Sequence, residues 1–439
     1  MIYPWIKIKR KQPQLESIGI LLFTVCIWMY SIFPLFTSHP FFCFTILSMS
    51  AVVYLTLCRF RRESGFYVYR ATLIWTVFMI SLFFSSINNI SIYTCATLLA
   101  YAAGIVFIIF CCHTTSQYDI GISILKILAA IYILSIFLQY FSTDLFEQLF
   151  LDRFDSLALS YYESSTKKYY VIGLGGSPGV ATVNCTIALA ILVSFNRRNN
   201  YRENMVKLPY LIVIFTAFIL IGKKSGLLSA FFSLAIIYLM ASGDKIWRKI
   251  TLIFISILLF GGVMYLFTRI FSSTYLSLKI REGFNQLIEG RDFSSGRFHL
   301  YKSAWQEFLR HPLFGIGWTG FSSKYGNLAH NIYLQLLCET GIIGFFLFVI
   351  PAFSVYFRSC KLVLKLNGDN SAKGIINYMI FSLYIQSEFL FISLFENNLY
   401  MIMPLYLYFF ACGIAFTAER EFNSMHYRKK GVRLKYEAG

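Results

Sequence analysis

Long unbroken apolar blocks constrain this chain more than any other feature of its sequence. Residues 18–36, 92–112, 250–268 and 397–417 each approach the length of roughly twenty apolar residues that crosses a bilayer as a helix. A helix in a soluble core instead alternates apolar and polar faces with a period of about 3.6 residues. Only 14% of the residues are charged, whereas soluble domains carry about a quarter. The blocks therefore predict an all-α polytopic membrane protein.

The positions of the basic residues predict how these helices cross the membrane. Lys and Arg cluster in short segments between apolar blocks, such as 7–11, 59–70 and 197–207. Short cytoplasmic loops collect such residues, while long loops are exempt from the rule. The clusters therefore predict a bacterial inner-membrane protein with both termini in the cytoplasm. They also argue against a nucleic-acid-binding protein, which the net charge of +18 would otherwise suit.

This assignment predicts twelve transmembrane helices. They fall at about 15–36, 41–58, 71–87, 92–112, 120–141, 180–196, 208–221, 225–241, 250–268, 331–350, 375–394 and 397–417. Residues 1–268 would hold helices one to nine, with an outer loop at about 142–179, and residues 269–330 would form a periplasmic loop. Residues 331–417 would hold helices ten to twelve, and residues 418–439 would form a basic cytoplasmic tail.

The loop at 269–330 contains the pattern of an amphipathic helix that ends before Pro312. Its apolar face comprises Phe298, Tyr301, Trp305 and Phe308. An aromatic amphipathic helix in an outer loop is typical of a segment that lies on the membrane surface. A second short helix of the same kind is predicted upstream, from the apolar residues between Ile280 and Ile288.

Signatures of well-known catalytic and metal sites are absent from the sequence. It has no HExxH, CxxC, GxSxG, P-loop or dinucleotide-binding motif, and no DxD pair to hold a metal-bound diphosphate. The six histidines lack the spacing of metal ligands, so we predict neither a metal nor another cofactor. The ten cysteines lie in or beside apolar blocks and predict no disulfide framework.

Basic residues occur instead at outer positions that the predicted topology disfavours. Lys223 and Lys224 lie in a very short outer turn, where a bound anion such as a lipid diphosphate would justify them. The alternative is that they extend to lipid head groups. Arg297 opens the surface helix, where the helix dipole disfavours a cation. It therefore suits an anion site formed together with the free backbone N–H groups.

His330 begins the predicted tenth helix, whose N-terminus disfavours a charged ring. A neutral imidazole can act there as a base, and the alternative is a capping or interfacial histidine. Glu339 lies more than two turns deeper, on the opposite face of an ideal helix. We interpret Glu339 as a buried polar tie to another helix rather than as the partner of His330. Gly341 and Gly344 would allow close helix packing at the same depth.

Three segments in this order resemble the O-antigen polymerase/O-antigen ligase family. They are SGRFHLYKSAW at 295–305, HPLFGIGW at 311–318 and HNIYLQLLCETGIIG at 330–344. Weaker similarity occurs in GGSPG at 175–179 and in GKKSG at 222–226. Each piece alone would be a weak signal, but the ordered combination is specific.

The resemblance implies a metal-independent glycosyltransferase of the GT-C type that uses an undecaprenyl-diphosphate-linked oligosaccharide as donor on the periplasmic face. It implies that Arg297 and His330 are catalytic. Candidates to bind the donor are Lys223, Lys224, Arg297 and Arg291. The family often has arginine in the short turn where this chain has two lysines. Because lysine is a point charge and not a planar fork, bidentate binding of the diphosphate is not expected there.

Two functions remain open on the family motifs. A repeat-unit polymerase for O-antigen or a capsule-type polysaccharide would move the glycan to a second lipid-linked unit, whereas an O-antigen ligase would move it to lipid A-core. The 46 Phe and 30 Tyr residues and the long first outer loop favour the polymerase. Membrane lipids and, for a polymerase, a chain-length regulator protein are the further partners that this interpretation implies.

A secondary transporter is the alternative from another functional class, because such carriers also often have twelve helices. They usually contain internal repeats and charges at the membrane midplane. The two halves of this chain show no similarity, and the charged candidates within its spans are few, namely Lys126, Glu339 and Glu388. The sequence therefore favours the glycosyltransferase.

Overall fold

The computed structural model describes residues 20–21, 23–25, 70–87, 92–109, 114–168, 170–195, 201–241, 246–270, 275–289, 296–369 and 372–436. Within these ranges the regular elements are α-helices and short 3-10 helices, as the all-α prediction requires. Of the helix predicted at 15–36, only the helical residues 20–21 and 23–25 are described. The helix predicted at 41–58 lies outside the described residues.

The α-helices follow one another from α1 near residue 70 to α15 at the carboxyl end. They are α1 (Arg70–Ser85), α2 (Ile92–Ile109), α3 (Asp119–Phe141), α4 (Thr143–Phe150), α5 (Ser156–Lys168), α6 (Pro178–Phe195), α7 (Tyr201–Ile221), α8 (Lys224–Ala241), α9 (Ile246–Ile270), α10 (Tyr275–Ile288), α11 (Arg297–Arg310), α12 (Gly320–Tyr325), α13 (Ile332–Asn367), α14 (Lys373–Ile392) and α15 (Ile402–Tyr436). α4 and α5 occupy the predicted first outer loop, and α10 to α12 occupy the second.

Six helical segments in the described ranges are long and apolar enough to cross a bilayer. They are Thr115–Phe141, Pro178–Phe195, Lys224–Ala241, Ile332–Asn367, Gly374–Ile392 and Ile402–His426. Shorter apolar helices at Arg70–Ser85, Thr97–Ile108 and Lys207–Ile221 coincide with three other predicted spans. The chain is thus an all-α polytopic membrane protein, whereas the total of twelve spans stays a prediction.

Two helices extend furthest beyond the ends that their apolar patterns predict. α13 continues to Asn367 instead of ending near residue 350, and α15 continues to Tyr436 through the predicted tail. Both extensions carry several Lys and Arg residues. Hydropathy marks only the apolar part of a helix that lies within the bilayer, so it does not predict these charged extensions. α13 is also interrupted at Gly341, where φ is 64° and ψ is −171°, far from helical values.

The last two helices, α14 and α15, form the centre of the bundle. α14 packs against α6, α8, α13 and α15, and α15 also packs against α2. Aromatic rings fill these contacts, as where Phe389 of α14 stacks on Tyr408 of α15 with 4.3 Å between ring centroids. Because both helices are held on several sides, the loop that joins them at residues 393–401 has a fixed position.

The surface helix α11 has the predicted bounds but packs through a different face. Ser303, Ala304 and Glu307 are buried against the protein, while Phe298 and Trp305 of the aromatic face remain 48% and 47% exposed. Half-exposed aromatic rings on an amphipathic helix fit a membrane–water interface. Phe298 and Trp305 are therefore exposed enough to contact lipid, and Ser303, Ala304 and Glu307 make the contact with the protein.

The orientation of the bundle leads to a testable prediction. α7 has 21 residues and spans about 30 Å at 1.5 Å per residue, so residue 203 and the turn at 222–223 lie at opposite ends of the bundle. The positive-inside pattern predicts that residue 203 is cytoplasmic. A periplasm-active reporter enzyme fused at about residue 285 should be active, and one fused at about residue 203 should be silent. Reversed activities would contradict the orientation.

Candidate functional site

Three elements that are distant in sequence converge on the carboxylate of Glu396. Lys223 Nζ, from the turn between α7 and α8, lies 3.3 Å from Glu396 Oε1. A guanidinium nitrogen of Arg297, the first residue of α11, lies 3.6 Å from the same oxygen. His330 Nδ1, just before α13, lies 4.0 Å from Glu396 Oε2. The structure therefore brings together three of the predicted basic residues around one acidic residue that was not predicted.

Neighbouring groups fix the positions of Glu396 and Arg297. Ser225 Oγ donates a hydrogen bond of 3.2 Å to Glu396 Oε1. Arg297 also donates a hydrogen bond of 2.8 Å to the carbonyl oxygen of Phe395, the residue before Glu396. Since a charge-assisted bond of this length is strong, Arg297 is anchored to the α14–α15 loop by the backbone of that loop. Its second terminal nitrogen remains directed at the carboxylate.

His330 adopts a backbone conformation that few residues with a side chain adopt. Its φ is 53°, in the left-handed region, which costs on the order of 1–3 kcal/mol and is found mostly where function or packing requires it. Tyr301 of α11 donates a hydrogen bond of 3.3 Å to the His330 carbonyl oxygen. The ring nitrogen Nδ1 is buried and forms no hydrogen bond within the described part of the chain.

The surroundings of the His330 ring favour its neutral form. Burial lowers the pKa of His330, the charge of Arg297 lowers it further, Glu396 opposes these effects, and Lys223 adds to the lowering. The ordinary pKa of histidine is about 6.5, so a lowered value leaves the ring uncharged at neutral pH. The neutral imidazole inferred from the sequence agrees with this environment.

A cavity of about 450 Å³ lies beside the cluster. Its lining residues are Gly296, Arg297, His299, Leu300, Asn327 and His330. This volume falls within the range of roughly 300–1,000 Å³ that is typical of ligand pockets. Arg297 and His330 border both the cavity and the Glu396 carboxylate, so a ligand in the cavity would meet both basic side chains.

The two lysines of the short turn have different environments. A Cβ placed on Gly179, in the GGSPG segment, would lie 3.5 Å from Lys223 Nζ, so this segment borders the cluster. Lys224 Nζ instead donates a hydrogen bond of 2.7 Å to the carbonyl oxygen of Lys279 in α10. Lys223 thus joins the site and Lys224 attaches α8 to α10. Arg291, the other predicted donor-binding residue, lies outside the described residues.

The HPLFGIGW segment at 311–318 is held in the break of α13. Ile316 N donates to Cys338 O at 2.9 Å, and Ile342 N donates to Pro312 O at 2.8 Å. Gly341 permits this approach, since a Cβ at that position would overlap the carbonyl group of Leu313. The sequence predicts that Gly341 allows close helix packing, and in the structure its partner is the backbone of a loop.

Glu339 is the buried polar tie that the sequence predicts. Its carboxylate accepts hydrogen bonds from the backbone N–H groups of Thr319 and Phe321 at 2.9 and 3.0 Å, and from the hydroxyl of Tyr400. Tyr400 belongs to the α14–α15 loop that carries Glu396, and its ring stacks on Trp318 with 4.3 Å between centroids. Glu339 therefore couples α13, the loop at 311–321 and the loop of the site.

A second ion cluster attaches α12 to α11. Glu307 is only 2% exposed, and its Oε1 lies 2.8 Å from both Arg310 and Lys324. Tyr325 donates a further hydrogen bond of 2.9 Å to the same oxygen. The hydrogen bond from Lys324 is the main cause that lowers the pKa of Glu307. These short contacts identify Glu307 as a structural carboxylate whose hydrogen-bonding capacity is well satisfied. Its contact distances can be compared with those of Glu396.

Residues 209–349 match the family model described as O-antigen ligase. The matched segment contains Lys223, Arg297, His330 and Glu339, and confirms the resemblance inferred from the sequence motifs. It ends before Glu396, which the α14–α15 loop adds from outside the match. A search among curated proteins finds no relative that matches this chain.

Proposed function

We propose that this chain, whose residues 209–349 match the O-antigen ligase family model, is a repeat-unit polymerase for O-antigen or a related surface polysaccharide. It would transfer glycan from undecaprenyl diphosphate to a lipid-linked acceptor on the periplasmic face of the inner membrane. The observation that carries this proposal is the juxtaposition of Lys223, Arg297 and His330 around Glu396, with a cavity lined by Arg297 and His330 beside them. These side chains supply what transfer from a lipid diphosphate requires.

The proposed chemistry divides the work between cations and a base. The acceptor hydroxyl oxygen attacks the anomeric carbon of the donor sugar, and the bond from that carbon to the phosphate oxygen breaks. Undecaprenyl diphosphate leaves with the electron pair, and Lys223 and Arg297 stabilise its charge. His330, neutral at the start, takes the hydroxyl proton. A diphosphate is already a good leaving group, so we propose that the reaction needs neither a metal ion nor another cofactor.

We base the choice of a polymerase on the length of the first outer loop. It folds as α4 and α5, which expose Leu145, Leu149 and Leu157, and exposed apolar residues on short amphipathic helices suit a membrane surface. Such a surface would suit an acceptor that is itself held in the membrane by a lipid, as a lipid-linked repeat unit and lipid A-core both are. A chain-length regulator protein is the partner we propose for such an enzyme.

An O-antigen ligase is the second candidate, favoured by the description of the matched family model. It would use the same donor and the same cations but would pass the glycan to lipid A-core. The difference lies in the acceptor alone, so the site residues have the same roles under both functions.

A deletion strain distinguishes the two functions. Loss of a polymerase should leave lipopolysaccharide that carries a single repeat unit, whereas loss of a ligase should leave lipid A-core with no repeat unit. We expect the first pattern on a silver-stained gel, with the ladder restored by the wild-type gene and not by Arg297→Ala. Uncapped core would favour the ligase, and an unchanged ladder would contradict both functions.

A further inference from the structure

Glu396 lies where an anionic ligand of the site would otherwise bind. Its Oε1 contacts Ser225, Lys223 and Arg297, and its Oε2 faces His330. Lys223 and Arg297 are the groups to which the proposed function assigns the donor diphosphate. A buried carboxylate in contact with both is therefore either a structural tie or a substitute for the ligand.

The contact distances argue against a simple structural tie. Glu396 is 3.3 Å from Lys223 and 3.6 Å from Arg297, whereas the structural carboxylate Glu307 is 2.8 Å from each of its two cations. Charge-assisted hydrogen bonds between such groups are usually about 2.7–2.9 Å long. The short bond of Arg297 goes to the Phe395 carbonyl oxygen instead. Glu396 thus lies near the cations without satisfying them fully.

The charges of the cluster are also unequal. Lys223 and Arg297 carry two positive charges, and Glu396 supplies one negative charge. A further buried nitrogen, Nδ1 of His330, has no hydrogen bond within the described residues. A diphosphate offers more negative charge and more acceptor oxygens than one carboxylate, so it can compete for these groups.

The exposure of the side chains indicates the direction from which a ligand would arrive. The Glu396 side chain is 11% exposed, less than Lys223 at 18%, Arg297 at 32% and His330 at 39%. Arg297 and His330 line the cavity, whereas Glu396 does not. A diphosphate entering the cavity would therefore meet Arg297 and His330 first and could then take over the cations from Glu396.

We propose that Glu396 is a built-in counter-ion of the donor site, which holds Lys223 and Arg297 until the diphosphate of a lipid-linked donor takes over their contacts. It acts as a positioning residue, because it touches the cations and not the reacting atoms. After transfer, its carboxylate regains the cations as the lipid diphosphate leaves, which favours product release. This inference rests on the proposed function, since it concerns the same site.

Binding of inorganic pyrophosphate to the purified full chain in detergent tests this inference by titration calorimetry. Glu396→Gln removes the competing charge and keeps the shape, so it should bind pyrophosphate about tenfold more tightly than the wild type. Glu282→Gln is the matched control. Glu282 lies on α10, is 51% exposed and contacts Lys279 at 2.8 Å, so this variant should bind within about twofold of the wild type.

A gain in affinity separates the counter-ion role from a structural role, because damage to the fold can only weaken binding. Glu396→Asp provides a second variant, whose shorter side chain withdraws the carboxylate and should tighten binding by about threefold. Pyrophosphate binding by Glu396→Gln that is unchanged or weaker than that of the wild type would overturn the inference. The inference would also be overturned if neither the wild type nor Glu396→Gln bound pyrophosphate. If Glu396→Gln does not fold, unchanged or weaker binding by Glu396→Asp would overturn it equally.

The binding measurement needs no turnover, so it separates the two proposals. If Glu396→Gln binds pyrophosphate more tightly but the wild-type chain transfers no glycan, the counter-ion role stands and the proposed function is wrong. If the wild-type chain transfers glycan but Glu396→Gln does not bind pyrophosphate more tightly, the proposed function stands and the counter-ion role is wrong.

Discussion

Arg297→Ala is expected to lower the rate of glycan transfer about a hundredfold. Arg297 is anchored through the Phe395 carbonyl oxygen and presents its other terminal nitrogen to the site. Loss of a charge-assisted contact to the departing diphosphate should raise the barrier by about 3 kcal/mol. Arg297→Lys should recover little, because one ammonium group cannot bond to the carbonyl and face the diphosphate as a planar fork does. The measurement is transfer by purified protein from a lipid-linked donor, with excess chelator present.

Two variants serve as comparisons for Arg297→Ala. Lys302→Ala removes a positive charge from an exposed position of the same helix and should leave the rate near that of the wild type. His330→Ala should lower the rate and leave donor binding nearly intact, because we assign His330 to the acceptor hydroxyl. If His330→Ala loses donor affinity as severely as Arg297→Ala, the histidine also binds phosphate and its role as base is wrong. Wild-type activity that chelator abolishes and Mg²⁺ restores would contradict the metal-independent mechanism.

Gly341→Ala should destabilise the protein by about 3 kcal/mol or more. The φ of 64° and ψ of −171° at Gly341 belong to a region that residues with a side chain rarely adopt, at a cost of about 1–3 kcal/mol. The new Cβ would also overlap the Leu313 carbonyl group, and backbone atoms cannot move aside as a side chain can. Thermal unfolding in detergent should therefore occur at a clearly lower temperature, and transfer activity should be lost.

Gly262→Ala is the matched control for this variant. Gly262 lies within α9, and a Cβ there would meet no atom within 4 Å. Alanine has the higher helix propensity by about 1 kcal/mol, so Gly262→Ala should leave the unfolding temperature equal or slightly higher. Equal effects of the two substitutions would contradict the role of Gly341 in admitting the loop at 311–318.

The sequence predicts those parts of the fold and site that depend on local pattern. Apolar blocks predict the transmembrane helices because a helix that crosses a bilayer requires a long uninterrupted run of apolar residues. Aromatic residues at helical spacing give the bounds of α11. Arg297 and His330 could be singled out because each stands at a helix start, where a cation conflicts with the helix dipole. Each of these signals can be read from one short stretch of the chain.

The remaining parts of the site depend on contacts between distant segments. Glu396 is an acidic residue in a loop between two apolar helices, and no neighbouring residue marks it as a site residue. Lys223 and Lys224 look equivalent in sequence, yet only Lys223 reaches Glu396, because Lys224 bonds to the backbone of α10. The break at Gly341 also has no local signal, since the loop that fills it lies upstream.

The role of the abundant aromatic residues cannot be inferred from their number. From the sequence alone their number favours a polymerase, but many of these rings pack between helices, as Phe389 and Tyr408 do. Packing explains them without reference to the acceptor. The argument for a polymerase therefore depends on the first outer loop.

The central position of α14 and α15 has a consequence for how the protein is made. These helices follow their neighbours in the chain, so α2, α6, α8 and α13 are synthesised before the partners they will enclose. Polar groups such as Thr186 and Ser229, which donate to Glu388 of α14, lack that acceptor until α14 has been made. A nascent chain interrupted after α13 therefore contains the whole matched segment at 209–349 but lacks the two helices at the centre of the bundle.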